Sequence, residues 1–361
     1  MPRVNFAMGN KHKNLAIVAV LAVVYFSTAK LGLRFAYVNP SATALWAPTG
    51  IALAAFLIFG LRAWPGAFLG AFFANLTTAG SVLTSIGIAT GNTLEGVAGC
   101  YLVRRFARGQ QAFERAHDIF KFAFLAGMVS TAISATVGVT SLSLGGFADW
   151  TEYGPIWRTW WLGDGVGAVL VTPLVLLWRE NPRLNWTREQ IAELALLFLG
   201  LFFTVGIVFG GRFHSEVKNY PLEYLCIPFL IWAAFRFGRR KAATATCVLA
   251  GIAIWGTLQG YGPFSRETLN TSLLLVQSFV GIVAVTSLAL AAEISERKRA
   301  DERVQQLVVT DPLTGLANYR RLIEAIELEI KRYGRSGRPF AILLLDLDGL
   351  KKVNGGCPGF S

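Results

Sequence analysis

WWLGDGVGAVLVTPLVLLW, residues 160–178, decides the fold class. Its nineteen residues contain a single ionisable side chain, Asp164. At about 1.5 Å rise per residue, a helix of this length crosses the hydrocarbon core of a bilayer. An acid inside such a span is expensive unless it meets a partner or a cavity, so Asp164 is a functional candidate by default.

Working outward, nine more apolar segments read as helices: 15–29, 45–61, 64–79, 83–103, 119–140, 190–209, 222–237, 241–258 and 272–293. The segments 45–61 and 64–79 are short for a ~30 Å core, and Ala63-Trp64-Pro65-Gly66 between them reads as a tight turn. The expected fold is an all-α polytopic membrane bundle of about 8–10 transmembrane helices over residues 15–293, after a short N-terminal stretch, 1–14. Composition agrees. The chain has 361 residues, 53% hydrophobic and 16% charged, against ~25% charged in a typical soluble domain. Mean hydropathy is +0.48.

The net charge is +12. The basic residues fall in short clusters between apolar runs: Arg104, Arg105, Arg108, Arg115 and Lys121; Arg179, Arg183 and Arg188; Arg236, Arg239, Arg240 and Lys241; Arg297, Lys298, Arg299 and Arg303. No long basic stripe with interleaved aromatics exists, which argues against nucleic acid as a partner. The loops between these clusters, 141–159, 210–221 and 259–271, are poor in Lys and Arg. By the positive-inside rule both termini are cytoplasmic and the number of spans is even. The start, with Arg3, Lys11 and Lys13 before an apolar run, resembles a signal peptide, but the many later spans favour an uncleaved first helix.

Cys100, Cys226, Cys247 and Cys357 form no C-x-x-C pair, and His12, His117 and His214 show no zinc spacing. They read as buried small hydrophobes and loop residues. Glu95, in TGNTLEGVAGCYLV, joins Asp164 as an intramembrane acid. Asn75, Asn92, Trp46, Trp160 and Trp161 are polar or aromatic companions that can line the same cavity and bind a small ligand. The alternative for them is interhelical hydrogen bonding and an aromatic belt.

Residues 294–310 change character. AAEISERKRADERVQQLVV, 291–309, lacks Gly and Pro and is rich in helix formers. Leu290, Ile294, Val304 and Val308 lie at coiled-coil spacing, with Arg297 and Asp301 interrupting the stripe. The segment reads as a signalling helix that extends the last span and pairs with its copy in a homodimer.

Residues 311–361 begin a second, soluble unit. DPLTGLANYRRL, 311–322, leads into a helix over 319–333 with Leu322, Ile323, Ile326 and Ile330 at helical spacing. AILLLDLDGLKKVN, 341–354, reads as a buried strand, 341–345, that delivers two acids at its end. Such a pair is suited to hold Mg²⁺ beside a triphosphate, although acids also end strands merely as caps.

D-x-L-T-G-L-x-N followed by an apolar strand and D-x-D-x-x-K-x-x-N resembles the GGDEF diguanylate cyclase family, giving a partial α/β domain. The resemblance implies conversion of two GTP to cyclic-di-GMP across a dimer, with Mg²⁺. It implies that Asp346 and the carbonyl of Leu347 hold metal, Lys351 meets phosphate and Asn354 meets guanine. It also implies that Asp311, Thr314, Asn318 and Arg321 couple the incoming helix to the domain. After Asn354 the chain reads GGCPGFS, where the family continues toward its Gly-Gly-(Asp/Glu)-Glu-Phe turn. The domain is expected to be truncated, and the chain alone is expected to make no cyclic-di-GMP.

The bundle has its own resemblance. LWAPTGIALAAFLIFGLRAWPGAFLGAFFANL (45–76), WWLGDGVGAVLVTPLVLLW (160–178) and IWAAFRFGRRKAA (231–243) are similar to the first type of MASE domain, a membrane-associated sensor. This implies a sensor in the bacterial inner membrane placed ahead of the cyclase, without naming its stimulus. A non-enzymatic receptor for a ligand or membrane partner and a small-molecule transporter are the alternatives. Transport is disfavoured by the lack of a clear internal repeat.

Overall fold

A computed structural model describes residues 5–34, 43–78, 80–180, 187–211, 220–309, 316–343 and 345. The chain divides into two compact units, 1–297 and 298–361.

The described residues of the first unit form helices and their connections, with no strand among them. Helix α1 spans Asn5–Leu33, α2 Ala47–Phe59, α3 Trp64–Leu76 and α4 Val82–Phe106. Helices α5, Ala116–Phe124, and α6, Thr131–Leu144, are joined without a break by a π-helical turn at Leu125–Val129. Helix α7 spans Tyr153–Glu180, α8 Arg188–Phe209, α9 Ile227–Leu258 and α10 Leu269–Val309. Local chemistry sets several ends. Pro48 occupies the first turn of α2, where its missing N–H has no intrahelical role. The Ser81 hydroxyl caps α4 by accepting from the Thr84 N–H, and Thr187 with Gln190 forms a capping box on α8. The last carbonyls of α2 are capped from a distance: Arg104 donates to Phe56 O at 2.9 Å and Gln110 donates to Leu57 O at 2.8 Å.

Among the described residues, six helical runs are long and apolar enough to cross a membrane: His12–Leu33, Ala116–Leu144, Trp150–Glu180, Arg188–Phe209, Leu222–Leu258 and Leu269–Glu302. This is fewer than the 8–10 expected spans, for physical reasons. Helices α2 and α3 have 13 residues each, about 20 Å of rise. Helix α4 carries Asn92, Glu95 and several Thr and Gly residues, which dilute its apolar character. The single run Leu222–Leu258 contains both segments read from sequence, 222–237 and 241–258, as two arms that meet at a break at Gly238, φ +73°. The chain reverses there: Arg236 pairs with Glu193 at the start of α8, whereas Gly256 lies against Phe209 at its end. Only glycine adopts that φ without strain. Outward-facing Leu15, Val20, Val23, Leu196, Leu199 and Phe203 suit a lipid surround.

The core is built on close helix approach. A Cβ added at Gly50 of α2 would collide with the Gly167 carbonyl of α7, and one at Gly167 with the Trp46 carbonyl. Small residues at such crossings let backbones meet, the main source of packing energy between helices in lipid.

In the second unit, α11 spans Tyr319–Ser336, three residues beyond the expected end. Asn318 caps it by accepting from the Arg321 N–H at 3.2 Å, and Gly337, φ +66°, closes it. The strand expected at 341–345 is not seen among the described residues of that range, 341–343 and 345, which are exposed. An apolar strand needs ladder partners on its edges, and no neighbouring strand exists among the described residues. Asp311, Thr314, Asp346, Leu347, Lys351 and Asn354 lie outside the described residues, as do His214 and Cys357.

Candidate functional site

Five of the seven sensor candidates converge inside the bundle. Asn92 and Glu95, three residues apart, share one face of α4. Trp160 and Asp164, four apart, share one face of α7. Trp46 precedes the first turn of α2, held by its N–H donating to Gly163 O at 3.0 Å. All five are buried, Glu95 at 2% and Asp164 at 1% exposure.

A directed chain of hydrogen bonds crosses four helices. Trp160 Nε1 donates to Ser134 Oγ at 3.1 Å, Ser134 Oγ donates to Asn92 Oδ1 at 2.7 Å, and Asn92 Nδ2 donates to Tyr25 OH at 3.0 Å. The Tyr25 ring meets Trp46 edge-on at 6.5 Å. Thr49, in the first turn of α2, donates to Glu95 Oε2 at 3.4 Å. The two carboxyl groups are close enough to interact electrostatically. Glu95 thus lies beside the N-terminal end of α2, the positive end of its dipole.

Among the described residues, three polar atoms of this centre have no hydrogen-bond partner: Glu95 Oε1, Asp164 Oδ2 and Trp46 Nε1. Buried groups of this kind cost about 1–3 kcal/mol each when unsatisfied. Beside them, Thr43, Trp46, Trp160 and Asp164 line a small cavity of about 10 Å³, room for about one water. Chemically, the centre can take up a water-sized species that donates to carboxylate oxygens.

The centre is tied to α10 by Gln277, which is 0% exposed. Its Nε2 lies 3.1–3.3 Å from the carbonyls of Thr43, Ala44 and Thr159, bridging α10 to the entry of α2 and to α7. Thr159 also hydrogen-bonds Asn270 at the start of α10. Sequence reasoning missed Gln277, Tyr25, Thr49 and Ser134. The signal for Gln277 was present, an amide inside the apolar run 272–293.

The other two candidates lie elsewhere. Asn75 is buried in α3 and donates to Ala71 O at 2.9 Å, a bond within its own helix. Trp161 donates to Met128 O at 2.8 Å and stacks on Trp157 at 5.4 Å. Among the described residues, no group of three or more His, Cys, Asp or Glu side chains is placed to hold a metal ion. Cys100, Cys226 and Cys247 are free thiols.

Fold and site define a multi-pass inner-membrane helical bundle with a buried polar centre, whose last helix continues into the second unit of the chain. The chain belongs to the MASE1 family, whose family model matches residues 17–298. The family model "Diguanylate cyclase, GGDEF domain" matches residues 308–356. Probable diguanylate cyclase DgcE of Escherichia coli is 23% identical over 235 residues, 64% of this chain and 20% of the relative. The bifunctional diguanylate cyclase/cyclic di-GMP phosphodiesterase MucR of Pseudomonas aeruginosa is 28% identical over 153 residues, 34% of this chain and 22% of the relative. Diguanylate cyclase DgcP of P. aeruginosa is 42% identical over 53 residues, 15% of this chain and 8% of the relative. The chain therefore spans about a fifth of the length of the first two relatives. No solved structure matches.

Proposed function

We propose that residues 15–293 sense an input at the Glu95–Asp164 centre and pass it through α10 to a GGDEF cyclase that joins two GTP into cyclic-di-GMP. The observation that carries this reading is the Gln277 bridge. It fastens the polar centre to the helix that runs from the bundle to the GGDEF match. A species entering the centre alters the partners of Glu95, Asp164 and Trp46, and α10 is bonded to the backbone that carries Trp46.

The remaining parts follow from the family match. Asp346 and the Leu347 carbonyl are assigned to Mg²⁺, Lys351 to the phosphates and Asn354 to guanine. Bound Mg²⁺ supplies charge neutralisation at the triphosphate. Asp311, Thr314, Asn318 and Arg321 join α10 to the domain, and Asn318 and Arg321 do so in part by starting α11. Two copies pair so that two GTP meet. The basic clusters at 104–121, 236–241 and 297–303 support a cytoplasmic position for both termini.

The test joins residues 1–310 to a complete GGDEF domain and measures cellular cyclic-di-GMP. Asp164→Asn and Glu95→Gln are expected to shift the level at least about threefold at equal membrane abundance. An unchanged level for both variants would falsify the sensing role.

A further inference from the structure

A second cavity, of about 660 Å³, lies between the first half of α9 and α10, away from the Glu95–Asp164 centre. Its wall is apolar, with Leu230 and Ile231 on one side and Leu275, Phe279 and Val283 on the other. Its mouth is charged. Glu223 lines it at 8% exposure, and its Oε2 has no hydrogen-bond partner among the described residues. Arg266, on the same rim, is exposed, with Nη1 turned to the neighbouring Ser265 carbonyl at 3.0 Å.

Two observations set the depth of this mouth. Tyr220 and Tyr224 flank Glu223 with their rings exposed, as interfacial aromatics do. From the mouth, the α10 wall runs from Leu275 to Leu290, about 22 Å at the helical rise, more than the ~15 Å of one leaflet's hydrocarbon. The cavity thus offers opposite charges at headgroup level and a hydrocarbon slot below them.

We propose that this groove binds a zwitterionic phospholipid with a primary ammonium headgroup. The ammonium donates to Glu223, the phosphate meets the Arg266 guanidinium, and one acyl chain lies along α10. The order of charges selects the headgroup. A glycerol headgroup offers Glu223 no cation. A choline headgroup offers a cation without N–H donors, leaving Glu223 Oε2 unsatisfied. Arg266 suits phosphate because the guanidinium presents paired donors.

The test is native mass spectrometry of the purified full chain in detergent, with phosphatidylethanolamine, phosphatidylglycerol and phosphatidylcholine at equal concentration. Phosphatidylethanolamine is expected to be retained about tenfold more than either competitor, the factor for one charge-assisted hydrogen bond. Glu223→Gln is expected to bring the three lipids within about twofold. Arg266→Gln is expected to weaken all three alike. Equal retention of the lipids by the wild-type chain, or an unaltered preference in Glu223→Gln, overturns the proposal. So does competition by free phosphoethanolamine at the lipid's own concentration, which would make the ligand a soluble zwitterion. Ile231→Trp gives an independent reading, because this side chain is 42% exposed and faces the groove. It is expected to abolish the lipid adduct with helicity unchanged, and an adduct that persists counts against the site.

Discussion

Asp164 and Glu95 are each one acid in an apolar run, and that contrast is what made them readable. An ionisable group in lipid needs a reason, and here the two acids lie near one another, with Thr49 donating to Glu95. Asn92, Trp46 and Trp160 were readable for the same cause. Tyr25, Thr49 and Ser134 were not, because hydroxyls are common in membrane helices and usually bond back to their own helix, as Thr93 and Thr131 do here. Asn75 has the same composition signal as Asn92 but faces its own helix, which spacing alone does not distinguish. Packing offers a sharper residue-scale prediction. At Gly167 there is no space for a methyl group, whereas at Gly281 the nearest atom to an added Cβ is Val166 Cγ2 at 3.9 Å. Gly167→Ala is expected to destabilise the bundle by about 1–3 kcal/mol, with Gly281→Ala near neutral. Thermal unfolding in detergent reads the difference, and equal melting of the two variants would refute the α2–α7 contact.

At the scale of elements, helix positions were legible because apolar periodicity and charged punctuation mark them. Whether a helix spans was less so, because α2 and α3 are helical but too short. The turn at Gly238 was anticipated as a gap between two segments; its geometry rests on one backbone angle that no side-chain pattern encodes. The strand read at 341–345 lies mostly beside residues outside those described, so its pairing is not seen. An apolar run states a need for neighbours but does not contain them. Among the elements α10 matters most, since it contains both Gln277 and the coiled-coil-like stripe toward Val309. Gln277→Leu removes the bonds to Thr43, Ala44 and Thr159 while keeping the volume close. In the cyclase fusion this variant is expected to hold cyclic-di-GMP at a fixed level, so that Asp164→Asn no longer changes it. A full Asp164→Asn response in the Gln277→Leu background would show that α10 is driven by another route.

For the whole molecule, charge distribution predicts a testable topology. Single cysteines at Arg108, Arg183 and Lys298 are expected to react from the cytoplasmic side only, and cysteines at Phe147 and Glu267 from the opposite side only. The native thiols are replaced first. Labelling of Lys298 and Glu267 positions from the same side would refute the assigned span across the first part of α10.

The central claim is that Glu95 and Asp164 form one centre that governs output. A double-mutant cycle tests it most directly: cyclic-di-GMP is measured in cells carrying the fusion as wild type, Glu95→Gln, Asp164→Asn and the double variant, at matched abundance. If the pair acts as one centre, the double variant matches the stronger single variant within about twofold. If the two effects simply multiply, or if neither single variant changes the level, the carboxyl groups do not share a sensing role.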